Sequence, residues 1–320
     1  MSVTFSGGIT FTGGGFSFSA GPTPKKAIFG YGYSSGGMVS TTNLVSDTGV
    51  VATNTTGIGT ARYNLAAAGY GTDKAIFGYG NPDNATYTTS VINLVSNTGV
   101  VSTDTAGVGT ARQQIAAAGY GTDKAIFGYG YSTVNVSMTN LVSNTGVVAS
   151  DTTGVGTARR NLAAAGYGTD KAIFGYGYDS TPPYGTNVSL TNLVSNTGQV
   201  VSEVTGVGTA RAGLTATGYG TDTAIFGYGD SSGGSQSVTN LVSNTGVVST
   251  DTTGVGTARW GLAAARYGSS GQAIFGYGYS GAPSYLYLSM TNLVSNTGVV
   301  STDTAGVGTA RYGLAAAVYG

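Results

Sequence analysis

The chain has 320 residues, a formal net charge of zero and 56 glycines, and it contains neither cysteine nor histidine. A zero net charge gives no electrostatic argument for binding nucleic acid or an acidic membrane. The composition excludes a disulfide framework and a thiolate metal site, and it lacks the commonest metal ligand and general base. The 40% hydrophobic fraction and the 22 tyrosines nevertheless indicate a folded core.

Residues 1–25 form a segment rich in glycine and phenylalanine that lies outside the pattern of the remaining chain. It lacks a basic start and a continuous apolar run, so we expect neither a secretory signal nor a membrane span. We therefore expect synthesis in a cytoplasm without export by the usual route. We interpret it as an arm that adds a strand to a partner's sheet and so anchors the protein to a larger assembly, against the alternative of a glycine-rich disordered tail. Its apolar residues are Val3, Phe5, Ile9, Phe11, Phe16 and Phe18.

Residues 26–320 contain six copies of one repeat, with landmarks spaced by 47 to 52 residues. The string AIFGYG begins at Ala27, Ala75, Ala125, Ala172, Ala224 and Ala273. The string NLVS begins at Asn43, Asn93, Asn140, Asn192, Asn240 and Asn292. The string TAR ends at Arg62, Arg112, Arg159, Arg211, Arg259 and Arg311.

The sequence of one repeat predicts four short strands, which we name A to D. Strand A is the alanine-rich LAAAGYG, strand B is KAIFGYG, strand C is TNLVS and strand D is VVSTDTT. Glycine, asparagine and aspartate occupy the turns between A and B and between C and D, where tight turns need them. A loop of variable length joins B to C.

Strand B predicts how neighbouring copies pack. Alternation places Phe29 and Tyr31 on one face, and Ile28 with the two glycines on the other. We expect the rings of one sheet to lie against the glycines of the next, so that both faces of each sheet are buried.

Four-stranded sheets at this period predict an all-β fold, a six-bladed β-propeller of antiparallel blades. The first AIFGYG lacks its own strand A, whereas the final LAAAVYG at Leu314 lacks a following strand B. The C-terminal strand is therefore expected to complete the first blade and to close the circle of six.

The repeat resembles the kelch repeat, in which an arginine precedes an inner strand and a hydrophobic strand ends in two glycines. TARYGLAAAGYGTDKAIFGYG matches that first half, with Gly30-Tyr31-Gly32 in place of the double glycine and NLVSNTGVV where the family has tyrosine and tryptophan. The resemblance covers about residues 26–320. It implies a propeller closed by a C-terminal strand, with protein partners bound at one end.

The near-identical copies, rich in glycine, threonine, serine and asparagine, also resemble repeat proteins of marine bacteriophage particles. This resemblance implies a tail fibre, capsid knob or other virion decoration. It predicts a virion surface location, or alternatively an extracellular or cell-surface location by a non-classical route. The arm would then contact other virion proteins, and a host glycan or receptor would be the outer partner.

The B–C loops are the most variable part of the repeat and hold many tyrosines. Loops on a rigid scaffold are common binding sites, and tyrosine offers contact area at low entropic cost. The alternative is neutral variation of unconstrained turns. The candidate binding residues are Tyr87, Tyr131, Tyr178, Tyr184, Tyr279, Tyr285 and Tyr287.

The six arginines of TAR are expected on the same end as these loops. We interpret them as structural, each bonded to loop carbonyls or a strand D carboxylate, against the alternative of an anion-binding ring around the axis. The candidate partners are Asp104, Asp151, Glu203, Asp251 and Asp303, with Asn54 in the first copy.

No residues suggest catalysis, because the carboxylates recur with the repeat and read as turn residues rather than an acid–base pair. We predict no cofactor and no metal; calcium at the GTD turns is the alternative, but turn-forming aspartate accounts for these residues more simply. The sequence favours a non-enzymatic protein displayed on a particle surface. The alternative is a carbohydrate-binding propeller lectin.

Overall fold

The computed structural model describes residues 9–12, 15–18, 25–83, 87–180 and 185–320. Every regular element in these ranges is a β-strand, and every strand pairing is antiparallel. The prediction of an all-β chain is therefore confirmed.

Strands A, B and C occur in all six copies where the sequence predicts them. The A strands are Ala66–Tyr70, Ala116–Tyr120, Ala163–Tyr167, Thr215–Tyr219, Ala263–Tyr267 and Ala315–Tyr319. The B strands are Lys26–Gly30, Lys74–Gly78, Lys124–Gly128, Lys171–Gly175, Thr223–Gly227 and Gln272–Tyr279. The C strands are Thr42–Val45, Ile92–Val95, Thr139–Val142, Thr191–Val194, Thr239–Val242 and Tyr287–Val294.

The remaining strands are short. One hairpin pairs Ile9–Thr12 with Gly15–Phe18, within the predicted arm; Val3 and Phe5 lie outside the described residues. Two-residue strands lie near the B–C loops or after the TAR string, at Tyr33–Ser34, Gly37–Met38, Arg159–Arg160, Tyr178–Asp179, Asp230–Ser231, Gly234–Ser235 and Arg311–Tyr312.

Each A, B and C set forms one sheet in the order A-B-C, and we number the sheets 1 to 6 by the chain order of their B strands. Sheets 2 to 6 take strand A from the chain just before strand B. Sheet 1 takes the C-terminal strand Ala315–Tyr319, which pairs with Lys26–Gly30 so that Ala317 faces Ile28. The predicted pairing of the last strand with the first is therefore present.

The prediction of a regular strand D is wrong for five of the six sheets. Only sheet 4 has one, Val200–Val204; elsewhere this segment makes two isolated bridges to strand C, such as Val45 to Val51. In every copy, sheet 4 included, the strand C asparagine donates from its side chain to a strand D carbonyl, as Asn43 Nδ2 to Ala52 O at 3.0 Å and Asn192 Nδ2 to Val201 O at 3.1 Å. This bond therefore joins the two segments in all six sheets, whether or not the backbone ladder between them is regular.

The predicted facing of Phe29 and Tyr31 is also wrong. Phe29 contacts Tyr277 of sheet 6 with ring centroids 5.1 Å apart, whereas Tyr31 contacts Phe77 of sheet 2 at 5.2 Å. Strand B ends at Gly30, and Tyr31 has a φ of 64°. This left-handed residue interrupts the strand alternation, so the two rings point to opposite neighbours.

The core consists of six apolar clusters, and each lies between two successive sheets. The cluster around Phe29 joins sheet 6 to sheet 1, so the last sheet packs on the first. The expected contact of rings with glycines is present: a Cβ added to Gly30 would lie 2.7 Å from Phe77 Cζ. Only glycine fits where a ring approaches the backbone this closely.

Two series of backbone hydrogen bonds join neighbouring A strands, one series at each end of these strands. Near the TAR string, the N–H of the second residue after each arginine donates to the equivalent carbonyl of the sheet before it, as from Gln114 to Asn64, and Asn64 donates to Gly313 of sheet 1. Near the A–B turns, Gly71 donates to Asp123 of sheet 3, and Gly268 of sheet 6 donates to Lys25 beside sheet 1. Each series thus passes through all six sheets.

Candidate functional site

The arginine of each TAR string is buried between two sheets and binds the same groups in all six copies. Arg159 is 0% exposed. Its Nε donates to Tyr176 O at 2.9 Å, Nη1 to Thr157 O at 3.1 Å and Nη2 to Asn192 Oδ1 at 2.7 Å. Because the groups of Tyr176 and Asn192 are fixed in sheet 4, the guanidinium holds strand B to strand C at their ends.

The same guanidinium also joins its sheet to the one before it. Its carbon lies 4.5 Å from the ring centroid of Tyr129 in sheet 3, a cation–π contact. Burial raises the pKa of Tyr129 to about 12, against the opposing effect of Arg159, and burial lowers the pKa of Arg159. The tyrosine hydroxyl donates to Val155 O at 3.0 Å.

The strand D carboxylates lie beside these arginines. Ion pairs join Arg112 to Asp151, Arg159 to Glu203, Arg211 to Asp251 and Arg259 to Asp303, at 3.2 to 3.8 Å. In the second copy Asp104 accepts from the Thr60 N–H and hydroxyl. In the first copy Asn54 takes this place and accepts from the N–H of Thr309 at 3.2 Å.

The four aspartates among these residues are held in the ionised form. Partial burial raises the pKa of Asp151, but hydrogen bonds from Thr110 and Asn140 and the charge of Arg112 outweigh it and hold the pKa below the ordinary value. The pKa values of Asp104, Asp251 and Asp303 are lowered in the same way.

Two cavities lie between the six A strands, and none of the six buried arginines lines either of them. The alternative of an anion-binding ring around the axis does not match this placement. The arginines bind backbone carbonyls, as expected for a structural role. The sequence analysis did not anticipate the strand C asparagines as further acceptors. The constant NLVS string was the available signal, since a buried asparagine requires a polar partner.

The structure divides the B–C loop tyrosines into three groups. Tyr87 and Tyr285 are 65% and 61% exposed. Tyr131 and Tyr178 lie on either side of Arg160, each with its ring centroid 5.0 Å from the guanidinium carbon. Tyr279 and Tyr287 contact each other, and Tyr184 lies outside the described residues.

A second variable position lies beside these loops and was missed by the sequence analysis. The residue after each TAR arginine forms a β-bridge with the residue after each GYG string, and both residues differ between copies. These variable pairs are Tyr312–Tyr33, Tyr63–Asn81, Gln113–Tyr131, Arg160–Tyr178, Ala212–Asp230 and Trp260–Tyr279. The signal was present as the changing residue in TARY, TARQ, TARR, TARA and TARW.

Six aromatic rings from sheets 6, 1 and 2 form one half-buried surface, which we call the aromatic cluster. Tyr312 is at its centre and contacts the other five rings with centroid distances of 5.1 to 6.1 Å. Burial, followed by the neighbouring tyrosines, raises the pKa of Tyr312 to about 12. The cluster consists of Tyr33, Tyr63, Trp260, Tyr279, Tyr287 and Tyr312.

The aromatic cluster adjoins a cavity of about 110 Å³ between the starts of the six A strands. Asn64, Gly261 and Gly313 line this cavity and directly follow three members of the cluster. The surface therefore combines aromatic faces with amide and backbone polar groups.

Within the described ranges, no group of three or more acidic side chains is arranged to hold a metal ion. The same residues include no helix with the length and apolar character needed to cross a membrane.

No protein-family model matches this chain, and no match to it is found among curated proteins.

Proposed function

We propose that the six sheets are the blades of a six-bladed β-propeller closed by the C-terminal strand. Three observations support this arrangement. The strand Ala315–Tyr319 completes sheet 1, an apolar cluster lies between sheets 6 and 1, and both hydrogen-bond series include a step between sheet 1 and its two neighbours. The kelch-like order of arginine, inner strand and glycine-rich strand agrees with this architecture.

On this scaffold the chain acts as a non-enzymatic binding protein that presents one end to a partner. The observation that carries the proposal is the position of the variable pairs, one residue from the arginines that are the same in all six copies. Six almost equal sheets thus present six different surfaces. Variation on a constant scaffold is typical of binding surfaces.

The aromatic cluster is the proposed contact surface, and it favours a carbohydrate as the ligand. Half-exposed tyrosine and tryptophan faces stack on the apolar faces of sugar rings, and neighbouring amides bind hydroxyl groups. The cluster occupies only sheets 6, 1 and 2, so one binding surface per chain is expected. Carbohydrate recognition is compatible with display on a particle.

We place the protein on the surface of a particle, with a phage virion as the first candidate. Its repeat style supports this location, as does the arm of residues 1–25, which includes the hairpin Ile9–Thr12 with Gly15–Phe18. In this arrangement the arm contacts other virion proteins, and the variable end faces a host glycan or receptor.

Binding to a glycan array tests the ligand class. Wild-type protein is expected to bind a restricted set of glycans, and Trp260→Ala and Tyr312→Ala are expected to abolish binding. Tyr131→Ala is the matched control, because Tyr131 belongs to a variable pair but lies outside the cluster. Binding that survives both cluster substitutions contradicts this site, and absence of wild-type binding to any glycan contradicts the carbohydrate proposal.

Deletion of residues 1–24, which keeps Lys25 and its hydrogen bond from Gly268, tests the attachment. The truncated chain is expected to fold but to be lost from purified particles. Unchanged incorporation into particles would show that the arm does not anchor the protein.

A further inference from the structure

Strand A of sheet 6 carries an arginine where most other A strands carry glycine. Arg266 lies in Ala263–Tyr267 and pairs across the sheet with Ala273. The equivalent residue is valine in sheet 1 and glycine in the four remaining sheets, at Val318, Gly69, Gly119, Gly166 and Gly218. One copy of an otherwise constant inner strand therefore brings a cation to this position.

Arg266 lines a cavity of about 280 Å³, which lies toward the A–B turns and is separate from the aromatic cluster. All six inner strands contribute to its wall. Its charged lining residues are one carboxylate and four cations, namely Asp222, Lys74, Lys124, Lys171 and Arg266. The wall is thus net positive, in a chain whose total formal charge is zero.

Three of the four cations already have an acidic partner in their own turn. Lys74 lies 2.7 Å from Asp73, and the equivalent pairs in sheets 3 and 4 are at 3.3 and 3.2 Å. The carboxylate of Asp222 accepts from Asn244 Nδ2 at 3.1 Å.

Arg266 differs from these lysines because its own turn contains no acid. The turn after it reads Gly-Ser-Ser-Gly, where the other A–B turns that precede strands of sheets 2 to 5 contain Gly-Thr-Asp. Among the residues that the structure describes, none forms a hydrogen bond or ion pair with the Arg266 guanidinium. The side chain is half-buried, and burial lowers its pKa, although a guanidinium remains charged at neutral pH.

We propose that this cavity binds an oxyanion, a carboxylate or phosphate group of a small molecule, through the guanidinium of Arg266. A guanidinium presents parallel N–H donors that match two oxygens of such a group. Its partial removal from water strengthens the attraction to an anion. The three wall lysines are already paired with aspartates, so the unpaired positive charge of the wall is that of Arg266.

Titration of the purified protein with inorganic phosphate and, separately, with acetate, followed by calorimetry at constant ionic strength, tests the proposal. We expect one binding event per chain with at least one of the two anions, and the stronger of the two identifies the preferred group. Arg266→Gly should weaken binding by about tenfold or more, the effect of losing one charge-assisted pair. This variant restores the residue of four other sheets and is expected to fold.

Two further variants make the test specific. Arg266→Lys keeps the charge without the paired donors and is expected to retain weakened binding. Arg160→Met removes a half-exposed cation near the TAR strings, at the other end of the A strands, and should bind the anion as the wild type does. Equal binding by wild type and Arg266→Gly, or no binding of either anion to the wild type, would overturn the proposal.

Discussion

Arg159 and Arg160 are adjacent in the sequence but belong to two different layers of the molecule. Arg159 is wholly buried and uses its donors on fixed groups of its own sheet. Arg160 is half-exposed and lies between two tyrosine rings, at a position that holds five different residue types in the six copies. The inner layer is the same in every copy, whereas the outer layer differs from copy to copy.

The comparison shows why one layer varies and the other does not. An altered inner residue leaves a buried asparagine, carbonyl or carboxylate without its partner, and an unsatisfied buried group is costly. The variable pairs are held through backbone bridges, which do not depend on the side chain. Side chains at the variable end can therefore change without loss of the scaffold.

The largest expected effect comes from breaking the inner layer. Arg159→Met should lower the free energy of unfolding by about 3–5 kcal/mol, because it leaves Glu203 and Asn192 without their cation. Arg160→Met, its neighbour, should cost about 1 kcal/mol or less, the size of exposed cation–π contacts. Urea unfolding of both variants measures the difference, and equal losses would contradict the division into two layers.

A smaller loss of stability is expected from a substitution at a glycine that an aromatic ring of the next sheet contacts. In Gly128→Ala the new Cβ would lie 2.6 Å from Phe174 Cζ, and such overpacking costs about 1–3 kcal/mol. Gly36→Ala is the control, since Gly36 is exposed and the nearest atom to its Cβ would be 3.7 Å away. Thermal unfolding should separate the two variants, and an unchanged melting temperature in Gly128→Ala would show that the sheets are not in close contact there.

A still smaller loss of stability is expected in the outer layer. Trp260→Ala places the residue of sheet 5, Ala212, into sheet 6. It removes edge-to-face contacts with Tyr279 and Tyr312, for which about 1 kcal/mol is typical. Chemical denaturation should show this modest change while ligand binding is lost. A loss as large as that of Arg159→Met would mean that the aromatic cluster belongs to the scaffold.

The smallest effect should appear only in acid. Because the folded pKa of Asp151 lies below its ordinary value of 3.8, its contribution is complete above that value and is lost as the pH falls through the folded pKa. Asp151→Asn, which imitates Asn54 of the first copy, should reduce the dependence of unfolding free energy on pH below about pH 4. Exposed Asp47 provides the control as Asp47→Asn, and an unchanged acid dependence in Asp151→Asn would show that its ionisation does not matter.

The positions of strands A, B and C, and the contacts between rings and glycines, could be predicted from the sequence. Strands A, B and C lie where the repeat placed them, and Gly30 meets a ring of the next sheet as expected. These features follow from alternation and residue size, which can be read from one copy of the repeat.

The sequence analysis failed where the backbone departs from regular alternation. The positive φ of Tyr31 reverses its facing, and strand D makes isolated bridges in five sheets where a regular strand was predicted. At the candidate site, tyrosines 279 and 287 were predicted, but Trp260 and Tyr312 were not. Their position follows the arginine in sequence and reaches the B–C loops only through a bridge between strands.

The pairing of the C-terminal strand with the first B strand is the central claim, and a double-cysteine variant tests it most directly. The chain contains no cysteine, and Ala27 and Val318 are direct partners across the two strands, at a separation that a disulfide can span. Ala27→Cys with Val318→Cys should form an intramolecular disulfide in the folded monomer, seen as faster migration on non-reducing electrophoresis. Free thiols, or only disulfide-linked dimers, would contradict the account.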